Sequence, residues 1–273
     1  MTSTLSATSR RTISADGTEI AYEVLGSGSA LVLVDGAMCH RAMGPARGLA
    51  QELAGDHTVY AYDRRGRGDS GPGASPYDAA REVEDLLAVL EATGGRAHVF
   101  GASSGATLAL EAARRGAPID RLAVYESPFI VDGTRPPNDP HLPEHVAAMV
   151  AQGRRPEAVR TFLRTVGAPA PVVALMRFLP AWKQMTAVAH TLPYDLSLVV
   201  EHQQGRPLPV GYYDQVASPT LVIAGGKSPA YMRNSQAAIA DAVPGARLET
   251  LPGQTHMIKA KVVAPVLAAF LGA

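Results

Sequence analysis

The stretch His98-Val-Phe-Gly101-Ala-Ser103-Ser104-Gly105-Ala-Thr-Leu-Ala109 decides how the rest of the chain is read. Val99 and Phe100 form a short apolar run that predicts a buried strand. Gly101-Ala102-Ser103-Ser104-Gly105 follows at once, a G-x-S-x-G sequence, and a helical pattern comes directly after it. In a strand–elbow–helix arrangement the central serine sits on a sharp turn that lifts its hydroxyl clear of the sheet. Such a turn is sterically tight, so its flanks need residues with almost no side chain. Small residues recur at Ala102, Gly105, Ala106, Ala109 and Ala113, a spacing that lets a helix lie close against strands. Ser103 is therefore the candidate nucleophile.

Working outward, 47% of the 273 residues are hydrophobic, ample for a buried sheet with helices on both faces. Lys+Arg and Asp+Glu both total 25, so no excess charge draws nucleic acid or an anionic membrane. The single cysteine, Cys39, excludes an intrachain disulfide or a metal site built on cysteine pairs, and it fits a reducing compartment. Met1 to Thr12 is Ser/Thr-rich and lacks the apolar core of a signal peptide. No apolar stretch approaches the about 20 residues of a membrane span. These features predict a cytoplasmic protein acting on a small molecule, without nucleic-acid or membrane partners. Nothing in the sequence speaks to oligomeric state.

Along the chain, Asp16-Gly17 lies between two alternating segments, a strong hairpin signal. Ala30 to Val34 is a continuous apolar run suited to a central parallel strand, and it ends in the loop Asp35-Gly36-Ala37-Met38. Pro45 to Ala54 reads as a helix and His57 to Tyr62 as the next strand. Gly66-x-Gly68 lacks the third glycine and following helix of a dinucleotide loop, so it reads as a structural turn, and no cofactor or metal is expected. Asp78 to Ala92 carries Val83, Leu86, Leu87 and Leu90 at helical spacing, and Ile119 to Tyr125 is another apolar strand. From Pro128 the strand rhythm stops until Pro219, with frequent prolines and five short helical patterns. A strand (Pro219–Ala224), a helix (Asn234–Val243), a strand (Arg247–Leu251) and a closing helix (Val262–Leu271) follow. The alternation predicts an α/β fold with a mostly parallel sheet and right-handed crossovers. Residues 1–127 and 217–273 form its core, and residues 128–216 an inserted helical lid.

This order of elements resembles the α/β-hydrolase fold superfamily. Five segments carry the resemblance: the Asp16-Gly17 hairpin, Leu31–Ala37, Asp63–Ser70, Gly101–Gly105 and Gly253–His256. The family's D-x-R-G-x-G-x-S turn matches Asp63, Arg65, Gly66, Gly68 and Ser70 position for position, whereas Asp35-Gly36 stands where His-Gly is usual. The resemblance implies a triad in the order nucleophile, acid, histidine, and it puts the base on His256. Most members place the acid after the strand ending at Ala224, but Ser228 occupies that position and cannot ionise. Some members carry a glutamate at the end of the preceding strand instead, which here is Glu126. Glu126 is accordingly the candidate acid, and Asp132 is the alternative.

A serine hydroxyl becomes an effective nucleophile only when a base takes its proton during attack. His256 would do so, with Glu126 fixing its tautomer and stabilising its charged form. The resemblance assigns the oxyanion hole to the backbone N–H groups of Ala37 and Ser104. The favoured function is hydrolysis of an ester, thioester or lactone through an acyl-serine, and Met149, Met176, Phe178, Trp182 and Met185 in the lid suggest a small apolar substrate. C–C bond hydrolysis or lyase chemistry uses the same parts. A binding protein or cyclase that keeps only the pocket is the remaining class, suggested by the missing aspartate at Ser228. Asp35 beside an oxyanion hole is unusual, because a carboxylate there would oppose a developing anion. It is expected to point away or to bond loop N–H groups.

Overall fold

The computed structural model describes residues 7–73 and 77–272. Eight strands form one sheet: β1 (Thr8–Ile13), β2 (Glu19–Gly26), β3 (Ser29–Val34), β4 (His57–Tyr62), β5 (Ala97–Ala102), β6 (Ile119–Tyr125), β7 (Thr220–Gly225) and β8 (Arg247–Leu251). Their spatial order is β1-β2-β4-β3-β5-β6-β7-β8. β1 and β2 pair antiparallel around the Asp16-Gly17 turn, β2 pairs antiparallel with β4, and every other neighbour is parallel. Gly17 has φ 85°, a left-handed turn conformation that a residue without Cβ adopts freely.

Alternation along the central strands sorts their side chains into two apolar layers. Val32 and Val34 of β3, with Leu122 and Val124 of β6, face a layer shared with α2 (Ala79–Ala92) and α3 (Ser104–Arg114). Leu31, Leu33, Ala123 and Tyr125 face the opposite layer, closed by α1 (Ala46–Leu53) and α10 (Ala260–Leu271). α2 starts at Asp78, whose side chain accepts the Ala80 N–H at 2.8 Å, an N-cap that sets the helix boundary.

Between β6 and β7 lie α4 (Leu142–Ala151), α5 (Arg155–Thr165), α6 (Ala170–Met176), α7 (Pro180–Ala187) and α8 (Leu192–Val199). The last ends at Val199, where the chain tightens into a 3₁₀ turn at Val200–His202. These helices share an apolar cluster of their own, including Val146, Val159, Phe162, Trp182 and Leu192, which Met38 joins from the loop after β3. α9 (Ala230–Ala242) begins four residues before the predicted Asn234, directly behind Pro229, whose φ of −56° suits the entry to a helix. Among the described residues no helix is long and apolar enough to cross a membrane.

Candidate active site

Ser103 is the one residue between the end of β5 and the start of α3. Its φ is 55°, in the left-handed region that side chains rarely adopt. The glycines around it explain how so sharp a turn fits. A Cβ on Gly101 would lie 2.6 Å from the Gly105 carbonyl oxygen, and one on Gly105 would lie 2.3 Å from that of Val34. The loop after β3 is pressed equally close, since a Cβ on Gly36 would meet the Ser103 Cβ at 2.9 Å.

His256 stands in the loop after β8, and its Nε2 is 3.2 Å from Ser103 Oγ. Its Nδ1 is 2.9 Å from Glu126 Oε2. A carboxylate only accepts, so Nδ1 carries the proton and Nε2 is free to accept from the serine hydroxyl. The other oxygen of Glu126 accepts the Gly225 N–H at 2.7 Å, and the side chain is fully buried. Glu126 comes directly after β6, at the same sheet edge as Ser103. The histidine loop must cross the end of β7 to arrive there. Gly225 makes room for it, because a Cβ at that position would stand 2.8 Å from the Gln254 carbonyl oxygen. Tyr125 Oη donates to the Thr255 carbonyl at 2.6 Å, and the Lys227 N–H to that of Gln254 at 2.8 Å, fastening the loop.

Asp132 lies apart from this chain of bonds. Its carboxylate accepts from the Thr134 hydroxyl, from the Thr134 N–H at 2.9 Å and from Asn234 Nδ2 at 2.6 Å, and these hydrogen bonds lower its pKa in that order. Ser228 is buried with its hydroxyl unpartnered. Asp35 points at the loop that leads into α1, where its Oδ2 would be 2.6 Å from a Cβ on Gly44. Burial pushes its pKa up to about 7, against the opposing pull of the Ala46 N–H and of Arg67 and Arg64.

Beneath the two candidate oxyanion donors lies a buried charge cluster that the sequence reading passed over. Arg67 Nη1 donates to the Gly36 carbonyl at 2.8 Å. That carbonyl belongs to the same planar trans peptide as the Ala37 N–H, so the guanidinium directs the N–H the opposite way. Ser104 Oγ donates to Asp195 Oδ1 at 2.7 Å, and Arg67 Nη2 to Asp195 Oδ2 at 2.6 Å. Arg64 bridges Asp195 at 2.7 Å and Glu82 at 2.6 Å. Burial opposes ionisation of Asp195, but Arg67 and Arg64 with the Ser104 hydrogen bond outweigh it and lower its pKa. A signal was present in the sequence. Leu192, Asp195, Leu196 and Val199 recur at i, i+3, i+4 and i+7, so an acid sits on the apolar stripe of α8.

Ser103, Ser104, Ala37 and His256 open onto a cavity of about 160 Å³. Phe162, Leu196 and Val199 from the inserted helices supply much of its apolar wall. Among the described residues no cluster of three His, Cys, Asp or Glu side chains could hold a metal ion.

Residues 28–264 match the model of the alpha/beta hydrolase family. The chain belongs to that family. It is similar over 96% of its length, at 47% identity and a TM-score of 0.87, to the whole of an alpha/beta hydrolase from Sphaerobacter thermophilus DSM 20745. A hydrolase from Pseudomonas aeruginosa PA01 is 25% identical with a TM-score of 0.73, and both chains are covered completely. The enol-lactonase from Burkholderia xenovorans LB400 shares the fold at 20% identity and a TM-score of 0.70, over 96% of this chain and 99% of that one. No functionally curated protein matches the chain. Family membership makes this protein a hydrolase in the broad sense.

Proposed function

We propose that the protein is a serine hydrolase that opens an ester, thioester or lactone of a small, largely apolar substrate through an acyl-serine intermediate. The observation that carries this reading is the continuous run Ser103 Oγ, His256 Nε2, His256 Nδ1, Glu126 Oε2, with links of 3.2 and 2.9 Å. In the first half of the reaction His256 takes the Ser103 proton as Oγ adds to the carbonyl carbon. It then returns that proton to the departing alkoxide or thiolate. In the second half a water, deprotonated by the same imidazole, releases the acyl group. Glu126 orients the ring and stabilises the imidazolium, as the aspartate does in serine-protease triads. The Ala37 and Ser104 N–H groups receive the oxyanion. The latter heads α3, whose first-turn N–H groups and dipole favour negative charge.

A carboxylate on His256 Nδ1 supports the enzyme over a pocket-only binding protein. The same reading makes residues 128–216 a lid over the site and keeps the expected cytoplasmic location. Labelling with a fluorophosphonate probe followed by mass spectrometry tests the proposal. The adduct is expected on Ser103. An adduct on Ser104, or none on a protein that still turns over esters, overturns it.

A further inference from the structure

The cavity holds one cationic side chain that nothing in the mechanism uses. Arg135 is the only Lys or Arg among its lining residues, and Asp195 is the only Asp or Glu. Asp195 is already occupied by Arg64, Arg67 and Ser104. The buried cluster behind it balances itself, with Glu82 and Asp195 facing Arg64 and Arg67. Acids that flank Arg135 in sequence are turned elsewhere, Asp132 to Thr134 and Asn234, and Asp139 to His145 and the His141 N–H. Arg135 therefore has no carboxylate partner among the described residues. One of its N–H groups goes to the Thr165 carbonyl at the end of α5. Its guanidinium stacks over the Tyr231 ring at 4.5 Å, and Tyr231 also lines the cavity.

A guanidinium has five donors in a rigid fork that matches a carboxylate with two parallel bonds. Stacking on an aromatic face and one carbonyl bond fix its plane without filling that fork. Asn138, Thr165 and Gln203 share the otherwise largely apolar wall, and the partly buried Arg135 keeps donors of its fork free for an anion that enters from solvent. We infer that Arg135 is the anion-recognising end of the substrate site, so that the hydrolysed ester, thioester or lactone carries a carboxylate of its own. This inference rests on the serine-hydrolase reading for the reaction but not for the binding. A substrate of this kind would lie with its acyl carbon at Ser103, its chain along Phe162 and Leu196, and its carboxylate at Arg135.

The competing role for Arg135 is purely structural, as a cap on the C-terminus of α5. Binding to the non-hydrolysing Ser103→Ala protein separates the two and does not depend on turnover. Monomethyl succinate, glutarate and adipate are titrated calorimetrically beside the neutral methyl esters of the same chain length. At least one monoester is expected to bind tenfold or more tighter than its neutral partner, and to weaken at least threefold between 20 and 500 mM salt, numbers on the order of one charge-assisted contact. Adding Arg135→Gln should abolish the discrimination, and Arg135→Lys should keep part of it. No discrimination in Ser103→Ala overturns the inference. So does discrimination that survives Arg135→Gln while the melting temperature falls, which is the result for a helix cap alone. If the glutamine variant does not fold, the salt series on Ser103→Ala decides, and salt-independent binding of the monoesters counts against it. Loss of ester turnover in the unmodified protein with discrimination intact would instead remove the hydrolase reading and leave the anion site standing.

Discussion

In the sheet, successive residues of one strand go to opposite apolar layers, as Leu31 and Val32 do. Most of the inserted helices gather into one cluster, Leu198 and Val199 of α8 join the apolar layer of the core, and charge and hydrogen bonds add further contacts between the two regions. Asp195 reaches Arg64, Arg67 and Ser104, Thr191 accepts from Arg67 at 3.1 Å, and His190 donates to the Gly66 carbonyl at 2.8 Å. The core therefore supplies the proposed reacting groups, from the turns and loops at its strand ends. The insertion supplies pocket walls, held by contacts that tolerate little sideways error. Apolar packing forgives modest changes of shape, whereas a buried ion pair stripped of one partner leaves a stranded charge.

That contrast can be broken first at Asp195. Asp195→Ala leaves Arg67 without its acid and is expected to cost about 3–5 kcal/mol of stability. Denaturant unfolding with and without the substitution measures it. A loss below about 1 kcal/mol would mean that the insertion is held by its apolar contacts after all. The second test is inside the core. Glu126→Gln keeps the shape but removes the charge behind His256, and kcat should fall at least a hundredfold, about 2.7 kcal/mol. Asp132→Asn should leave turnover near normal, and the reverse pair of results would move the acid to Asp132.

The smallest expected effect concerns Asp35, where core loop and buried charge meet. Its pKa is raised from 3.8 to about 7, so the folded protein keeps a proton that the unfolded chain has released. Stability from this group is complete below about pH 4 and is lost as pH rises through about 7. Asp35→Asn should remove that slope, gaining about 2 kcal/mol on the parent protein between pH 5 and 7. Melting temperatures measured across that range check the prediction. Parallel curves would show that Asp35 is not a protonated acid in the fold.

The core was legible in the sequence because a two-layer sheet writes itself as alternating or continuous apolar runs. The nucleophile elbow was legible because steric crowding leaves only glycine at Gly101 and Gly105. Proposing Glu126 as the acid needed the resemblance, since a glutamate after a strand has many ordinary uses. What escaped was polar and long-range. Arg64 and Asp195 are 131 positions apart, and nothing local in either segment names the other. Arg67 escaped for a related reason, because its role depends on a peptide carbonyl, Gly36, that carries no side-chain signature.

Among the described residues only three non-glycines have positive φ: Ser103 at 55°, Glu126 at 50° and Met38 at 60°. They are the proposed nucleophile, the proposed acid and a neighbour of the proposed oxyanion donor. Each such conformation costs on the order of 1–3 kcal/mol, which glycine would avoid. Selection for a durable fold alone would thus drift all three positions toward glycine. A lineage that no longer needed the chemistry should show that drift, turning the backbone at these sites into a record of whether catalysis is still being maintained.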